Sequence, residues 1–382
     1  MAAHYVRTCG LMNRLSSRAL VTALLAVVAT ACVAQTEDAD TSDQAVTSGS
    51  PMKLLTFNAG LVRGGVALVD ERLPNIAPAL QATGADVLCL QEVWGDADYE
   101  KLKTSLAGSH PNAFRQRTEE DGKSWFSCNP FKLLSLKRCV DSQCTPNGVS
   151  AEECVQNGCS DQYSALSDSC KTCLAANTDK PTSCTLRANE FVQGGRNGVA
   201  LFSRFPIENA RFEDYGSAMV HRGFIRATIQ GKEIVCTHLT SDLTTVPYPS
   251  GQPWTSWRDE QASEPAKIAA ALPTKGCRVV MGDMNASPSD GVIKPELDST
   301  LAAFSADGFH EPWSEKSCTW CPPPANPLAS GAEEKLYDHI LVNGCASAKY
   351  ERVMDKPITV QHEGNTLTTR LSDHFGLMAT VR

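Results

Sequence analysis

The chain has 382 residues, with 35 lysines and arginines against 43 aspartates and glutamates, and its formal net charge is −8. This acidic balance argues against a protein whose whole surface binds nucleic acid, although a local basic groove stays compatible with it. The chain is long for one domain, but a single large α/β unit with an insertion accommodates it.

Residues 1–31 have the features of an export signal. They carry Arg7, Arg14 and Arg18 but no acidic residue, and a run of apolar residues and threonine follows from Ala19 to Ala31. This run is too short to span a bilayer and is typical of the apolar part of a signal peptide. We therefore expect export, and losing three basic residues and no acidic one would leave a mature charge of −11.

The residues around the expected cleavage site indicate a lipid attachment point. Ala29-Thr30-Ala31 precedes Cys32, and this arrangement resembles the lipobox of bacterial lipoproteins. Cys32 is therefore a candidate for lipidation, which would hold the protein at a membrane. Residues 32–51 are mostly polar and acidic and lack aromatics, so we expect a flexible tether. The predicted location is the cell envelope, as a lipoprotein, or outside the cell, as a secreted protein.

Fourteen cysteines follow Cys32, as is usual for exported chains that use disulfides. Eight of them fall in one polar segment, and we expect a disulfide-rich insertion at about 128–184 with four disulfides, whose pairing the sequence leaves open. A zinc site at Cys170 and Cys173 is the alternative. The eight are Cys128, Cys139, Cys144, Cys154, Cys159, Cys170, Cys173 and Cys184.

The other six cysteines lie in the remainder of the chain. Cys277 opens one predicted strand and Cys345 follows another, so antiparallel neighbours would bring them together. Cys318 and Cys321 are expected to close a tight loop. Two further cysteines sit inside apolar strands and are expected to be simply buried. These two are Cys89 and Cys236.

Apolar runs alternate with helical patterns from residue 52 onward. Helices are predicted over 66–83, with interruptions at prolines, and over 96–107 and 256–272. Strand runs followed by helices, twice over, indicate two sheets packed face to face with helices outside. The main predicted strands are Met52–Asn58, Asp86–Gln91, Gly198–Ser203, Ile207–Tyr215, Phe224–Gln230, Glu233–His238, Arg278–Asp283, Leu336–Val342 and His374–Val381.

Polar residues stand at the ends of six of these strands. Any one of them could be a cap or a turn, but six at six apolar strand ends are hard to explain in that way. Carboxylates can hold Mg²⁺ and orient an attacking water, amides can donate to an oxygen that gains charge, and histidines can protonate it. The set predicts metal-assisted hydrolysis of a phosphate ester. Its members are Asn58, Glu92, His238, Asp283 with Asn285, Asp338, and Asp373 with His374.

The same residues lie in motifs that resemble the endonuclease/exonuclease/phosphatase superfamily. The resemblance spans about 52–382 except the cysteine-rich insertion, and it implies an α/β fold, a four-layer αββα sandwich of two packed mixed sheets. The motifs, in chain order, are Thr56-Phe57-Asn58, Asp86-Val87-Leu88-Cys89-Leu90-Gln91-Glu92, the segment 198–206 (GVALFSRFP), Thr237-His238-Leu239, Gly282-Asp283-Met284-Asn285, Tyr337-Asp338-His339 and Ser372-Asp373-His374.

The resemblance also implies roles for the strand-end residues. Glu92 would be the Mg²⁺ carboxylate, with Asn58 and Asp373 completing the metal surroundings; Mn²⁺ and Ca²⁺ are alternative ions. Asp283 would position the nucleophile. The remaining members would contact the scissile phosphate or, for Asp338, orient a histidine. The phosphate-contacting residues implied in this way are Asn285, His238 and His374.

The substrate is predicted less sharply, because this fold serves several substrate classes. Gln91-Glu92-Val93-Trp94 and the helix residues Arg258 and Gln261 are similar to neutral sphingomyelinases, and Arg222 is a further candidate for substrate binding. The loop Thr244–Trp257 departs from that subgroup.

From these observations we expect an exported, monomeric, Mg²⁺-dependent phosphodiesterase of the sphingomyelinase or phospholipase C type. Its substrate would be a phospholipid. An extracellular deoxyribonuclease acting on nucleic acid is the first alternative, and a non-catalytic cysteine-rich binding protein is the second.

Overall fold

A computed structural model describes most of the chain after the expected tether. The export signal, Cys32 and almost all of the tether lie outside the described residues. The described ranges are 51–63, 65–116, 128–143, 158–167, 197–218, 220–243, 251–314 and 316–382, together with residues 155, 170–171, 174, 184–185 and 248.

The described part of the chain contains thirteen strands, which are numbered in chain order. They are β1 (Met52–Asn58), β2 (Val87–Gln91), β3 (Asn112–Phe114), β4 (Ala200–Ser203), β5 (Glu208–Asp214), β6 (Gly223–Ile229), β7 (Lys232–His238), β8 (Arg278–Asp283), β9 (Asp338–Asn343), β10 (Ser347–Val353), β11 (Ile358–His362), β12 (Asn365–Thr369) and β13 (Gly376–Val381).

The first sheet has six strands in the order β10-β13-β1-β2-β4-β3. β1 and β2 are parallel, whereas β13 and β4 pair with them antiparallel. Side chains alternate across a strand, so Leu54 packs between the two sheets while Leu55 packs beneath the outer helices. Because β1 and β2 are parallel, with Asn58 opposite Gln91, both strands end at the same edge.

The second sheet has five strands in the order β5-β6-β7-β8-β9. Only β7 and β8 are parallel, and their register sets His238 opposite Asp283. Gly282 is required in this pair because a Cβ atom there would lie 2.1 Å from the carbonyl oxygen of Thr237. The two remaining strands, β11 and β12, form a separate antiparallel hairpin.

Helices cover the outer faces of both sheets. α1 and α2 pack against the first sheet, and α5 and α6 pack against the second, so the order helix, sheet, sheet, helix confirms the predicted four-layer sandwich. α1 runs without a break through Pro74 and Pro78, contrary to the expected interruptions. The described helices are α1 (Val69–Thr83), α2 (Asp96–Leu106), α3 (Pro130–Gln143), α4 (Ser160–Ser164), α5 (Trp257–Ala271) and α6 (Asp298–Ala306).

A disulfide between Cys89 and Cys236 joins the two sheets through the core. The expectation that these cysteines are simply buried was therefore wrong. Each stands on the inner face of its strand, and their Cα atoms are 5.4 Å apart. The bond ties β2 to β7 three residues before Glu92 and two residues before His238.

The remaining predicted pairs outside the insertion are present. Cys277 is bonded to Cys345, and Cys318 is bonded to Cys321. The first bond links the start of β8 to the turn after β9, as the antiparallel pairing of those strands requires.

The insertion contains α3 and α4 and is held by disulfides. Cys128 is bonded to Cys170 and Cys139 to Cys159, and Cys184 is also disulfide-bonded. Cys170 is thus not available as a zinc ligand, and the zinc alternative is set aside. The predicted members that lie outside the described residues are Cys144, Cys154 and Cys173.

In the part of the chain that the structure describes, no helix is long and apolar enough to cross a bilayer.

Candidate active site

Strand register brings the predicted residues of the second sheet into one row. His238 lies opposite Asp283 in the parallel pair β7–β8, and Asp283 lies opposite Asp338 in the antiparallel pair β8–β9. His374 precedes β13 in the first sheet and reaches the same place, with its Nδ1 atom 2.9 Å from Asp338 Oδ2. The two sheets therefore contribute to one cluster at one end of the sandwich.

Asp283 is the centre of this cluster and is almost fully buried. Asn58, on the first sheet, donates from Nδ2 to Asp283 Oδ2 at 2.8 Å, and the backbone N–H of Asn285 donates to Oδ1 at 2.8 Å. Burial alone would raise the pKa of Asp283, but the neighbouring His238 and His374 and the hydrogen bonds outweigh it and hold the pKa well below its usual value. Asp283 is therefore a carboxylate at neutral pH.

His238 is held as a neutral ring with a defined tautomer. Arg222 Nη1 lies 2.5 Å from His238 Nδ1, and a guanidinium can only donate, so Nδ1 must accept. The proton of the neutral ring then sits on Nε2, which lies 3.3 Å from Asp283 Oδ2. Burial and then the charge of Arg222 lower the pKa of His238 to about 4, which keeps the ring uncharged.

His374 has the opposite charge state. Burial lowers its pKa, but the charges of Asp338 and Asp283 outweigh burial and raise the pKa to about 10. Asp338 holds the Nδ1 side, so the protonated Nε2 points toward the cluster, 3.8 Å from Asp283 Oδ2. The site thus combines a carboxylate, a neutral histidine and an imidazolium, which is a donor set suited to a phosphate group.

Glu92 and Asp373 form a second acidic pair beside this cluster. Glu92 follows β2 in the left-handed region, with φ of 56°, which turns its side chain out of the strand. Burial and then the negative charge of Asp373 raise the pKa of Glu92 to about 7. Its carboxylate makes no side-chain hydrogen bond with any residue that the structure describes. A carboxylate that is crowded by a second one and lacks a donor fits a cation that supplies the missing charge.

The donor chemistry fits Mg²⁺ in particular. The three residues predicted to hold it, Glu92, Asp373 and Asn58, offer only oxygen ligands, and Mg²⁺ typically takes one or two carboxylates while keeping several waters. Among the described residues, no group of three or more histidines, cysteines or acidic side chains is arranged as a metal cage. An open oxygen site of two carboxylates and an amide agrees with that preference.

Asn285 also adopts the left-handed region, with φ of 45°. Its Nδ2 donates to the carbonyl of Leu239, the residue after His238, at 2.9 Å. This bond ties the loop after β8 to the loop after β7. One amide hydrogen is left for a ligand, so its predicted contact with a phosphate stays a prediction.

The three predicted substrate-binding residues lie in different environments. Arg222 is buried, and its guanidinium carbon lies 5.6 Å from the centre of the Trp94 ring. Arg258 is 63% exposed and pairs with Asp242 at 2.7 Å. Gln261 is fully buried, so the prediction that it contacts substrate is not supported by its position.

Gln261 instead holds the loops that carry the catalytic candidates. Its Nε2 donates to the carbonyls of Thr240, Met284 and Asn285, and its Oε1 accepts from Thr300 Oγ1 at 2.7 Å. One side chain of α5 therefore joins the segments after β7 and β8. Both amide hydrogens of Gln261 are used in these contacts, so none is left to donate to a ligand.

Several residues that support the site were not found from the sequence. Arg72 of α1 is fully buried and donates to the carbonyls of Ala59, Gly60 and Leu371, which fixes the loops next to Asn58 and Asp373. Nothing in the pattern of α1 distinguishes this arginine from an exposed one.

Two further groups brace the segment around His374. Asn326 donates to the carbonyls of Ser372 and Asp373 at 2.9 Å each. Trp320 packs edge-on against His374 with the ring centres 5.0 Å apart. The motif Cys318-Thr319-Trp320-Cys321 was a signal for a tight loop, but its position over the site required the structure.

The fold and the site together define a class of phosphate ester hydrolase. The family model of the Endonuclease/Exonuclease/phosphatase family matches residues 55–374. The chain belongs to this family.

Solved structures agree with the fold. SmcL is 15% identical over 87% of this chain and 99% of its own, with a TM-score of 0.53. Beta toxin from Staphylococcus aureus is 16% identical over 86% of this chain and 99% of its own, also with a TM-score of 0.53. A doubly substituted form of that toxin with bound magnesium ions is 15% identical over the same shares, with a TM-score of 0.51. No curated protein matches the chain by sequence.

Proposed function

We propose that the chain is an exported, Mg²⁺-dependent phosphodiesterase that hydrolyses a choline phospholipid or sphingomyelin. The observation that carries the reaction class is the grouping of the Asp283 carboxylate, neutral His238 and protonated His374 at the sheet edge next to the Glu92–Asp373 pair. Such a set binds a phosphate through donors and orients a water through a carboxylate.

The protein groups divide the reaction between them. Asp283, fixed by Asn58 and the N–H of Asn285, orients the attacking water and receives its proton. Protonated His374 and the Nε2–H of His238 donate to phosphate oxygens as these gain negative charge. Asp338 keeps His374 protonated and correctly turned.

A magnesium ion held by Glu92, Asp373 and Asn58 would neutralise charge on the phosphate and on the leaving oxygen. This assignment explains why the Glu92 carboxylate is placed beside another carboxylate without a hydrogen-bond donor. The beta toxin structure with bound magnesium ions supports the choice of ion.

The placement of arginines favours a substrate with one phosphate over a nucleic acid. Arg204 follows β4, which is antiparallel to β2, so it lies at the end of the sheet opposite Glu92. Arg258 is paired with Asp242, and Arg222 is buried against His238. A fourth candidate, Arg196, lies outside the described residues. These three arginines therefore do not form a track for several phosphates, whereas a lipid headgroup needs one or two cations.

A substrate panel tests this proposal. We expect sphingomyelin or phosphatidylcholine dispersions to be cleaved faster than duplex DNA, RNA or inositol phosphates. Contact with one phosphate releases few counterions, so the rate should change little between ~50 and ~200 mM salt. Efficient DNA cleavage that collapses over this salt range, without release of phosphocholine from lipid, would establish the deoxyribonuclease alternative.

Export and anchoring are part of the proposal. The basic and apolar residues 1–31 and the cysteine at position 32 support cleavage before Cys32 and acylation of its thiol. Mass spectrometry of the mature protein, with Cys32→Ala as the control, should find an acylated N-terminal cysteine only in the wild type. An unprocessed N-terminus would refute this part.

A further inference from the structure

Helix α3 of the insertion presents an unusual outer face. Of the described residues, only four large hydrophobic side chains are exposed, and two of them lie on this helix: Phe131, 83% exposed, and Leu134, 44% exposed. Single exposed apolar residues are common on soluble proteins. Phe131 and Leu134 lie within one turn of the helix, and Phe131 is the most exposed of the four, so together they form an apolar surface.

The geometry of the helix puts a cation on the same stripe. Phe131, Leu134 and Arg138 are spaced i, i+3 and i+7, so they line one face. Leu133, Leu136 and Cys139 point the other way and are buried. The exposed residues are therefore the outward half of an amphipathic helix.

The buried side of α3 is held in the insertion, so the same residues always face outward. Cys139 is bonded to Cys159, and Leu133 and Leu136 pack in the core of the insertion. Asn129 caps the first turn, since its Oδ1 accepts from the N–H groups of Phe131 and Lys132 at 3.0 and 3.3 Å.

The charge of the helix is opposite to that of the protein. The helix has three basic residues, Lys132, Lys137 and Arg138, and one acidic residue, Asp141, which pairs with Lys137 at 2.6 Å. The helix therefore carries a net +2 in a chain whose net charge is −8. Apolar side chains flanked by cations are what an interfacial helix uses to lie on a bilayer with anionic lipids.

We infer that α3 is a membrane-docking face, with Phe131 and Leu134 entering the headgroup region of a bilayer that contains anionic phospholipid and with Arg138 beside its phosphates. This inference rests on the proposed function only in that a lipid substrate places the enzyme at a membrane. The docking residues are not members of the catalytic cluster, and α3 packs in the separate apolar cluster of the insertion.

Vesicle partitioning tests the inference without turnover. Every protein carries Cys32→Ala, which removes the acylation site, and Asp283→Asn, which prevents loss of the lipid. We expect binding to phosphatidylcholine vesicles with about 30% phosphatidylglycerol, and partitioning about 10-fold weaker or more for Phe131→Ser/Leu134→Ser. Arg138→Gln should weaken partitioning about 5-fold on these vesicles and leave it nearly unchanged on phosphatidylcholine alone.

The matched control removes the two other exposed hydrophobic residues. Val292→Ser/Leu367→Ser should partition as the parent does, because these residues lie outside α3. Equal losses in both double variants would overturn the inference, as would a parent protein that does not bind the vesicles. An α3 double variant that changes only self-association in sedimentation would also overturn it and assign the face to a second copy of the chain.

Tryptophan fluorescence tests insertion at position 131 directly. Phe131→Trp preserves the apolar surface, and brominated lipids should quench its fluorescence more than that of the parent. Quenching equal to that of the parent would contradict insertion at this position. A micelle assay separates the two proposals. The Phe131→Ser/Leu134→Ser enzyme with Asp283 intact is given sphingomyelin in detergent micelles, and normal turnover together with weak vesicle binding supports docking. Absence of micellar turnover in the wild type refutes the proposed function alone.

Discussion

The sandwich and the cysteine-rich insertion are stabilised by different means. In the described residues, the cluster between the two sheets has 21 buried apolar members, of which two are cysteines. The cluster inside the insertion has eight, of which five are cysteines. The sandwich is held by apolar burial and can therefore carry buried charges at one end, whereas the insertion depends on covalent bonds. We therefore expect that the insertion can be loosened without loss of catalysis.

The largest expected effect comes from removing a charged group of the site. We expect Glu92→Ala and His374→Ala each to abolish measurable turnover, at a cost on the order of 3 kcal/mol or more in transition-state stabilisation. Both residues stand beyond strand ends, so the melting temperature should stay close to that of the wild type. Rates of lipid hydrolysis and thermal melts check this, and a near-normal rate in either variant would remove that residue from the site.

The disulfides test the comparison itself. Cys139→Ala/Cys159→Ala should release the insertion at a cost of about 3 kcal/mol of local stability, while turnover of micellar lipid stays normal. Hydrogen exchange would locate the loss in α3 and α4. Loss of micellar turnover together with loss of exchange protection in the strands of the sandwich would show that the two regions are one cooperative unit.

The disulfide between the sheets is the matched control. Cys89→Ala/Cys236→Ala should lower the free energy of unfolding of the whole sandwich by about 2 to 4 kcal/mol, because many apolar residues still hold the sheets together. We expect one cooperative transition in denaturant at a lower midpoint. If only the insertion melted, the assignment of this bond to the core would be wrong.

The charge state of His374 gives a smaller, pH-dependent effect. Its raised pKa of about 10 means that activity needing the imidazolium is present below that pH and is lost above it. Asp338→Asn removes the nearest negative charge, so the pKa should fall and the alkaline limit of activity should move to lower pH. The barrier near neutral pH should rise by about 2 kcal/mol, which lowers the rate. An unchanged pH–rate profile would contradict the pairing of these two residues.

The last effect, the smallest per unit of pH, is a dependence of stability on pH that comes from a buried acid of α5. Glu264 accepts from Thr240 N and Oγ1, and burial raises its pKa to about 8 from an ordinary value of 4.5. The folded state then keeps a proton that the unfolded state has already released. Stability should therefore fall as the pH rises from about 4.5 to about 8, by at most about 1.4 kcal/mol per pH unit. Glu264→Gln should flatten this slope in denaturant titrations, and an unaltered slope would assign it to other groups.

The sequence was most informative where apolar runs end in polar residues. The runs before Asn58, Glu92, His238 and Asp283 predicted the strands, and the structure brings their ends together because β1–β2 and β7–β8 are parallel pairs. The motif order predicted the family, which the match over residues 55–374 confirms. The roles of the site residues stay predictions, although the structure gathers them into one cluster.

What the sequence did not predict depends on contacts between distant segments. The Cys89–Cys236 bond requires knowing which strand faces which across the two sheets. Gln261 was predicted to bind substrate, yet its side chain donates to three backbone carbonyls. β12 is largely exposed and β10 has no buried residue, so their sequences lack the apolar alternation that marks a strand.

Release of phosphocholine from sphingomyelin in detergent micelles is the most direct test of the central claim, because it needs the catalytic cluster but no bilayer. The account predicts Mg²⁺-dependent release by the wild-type chain that falls at least about 100-fold in Asp283→Asn, with an unchanged melting temperature. Release that persists in Asp283→Asn at the wild-type rate, or no release by the wild-type chain with Mg²⁺, would contradict it.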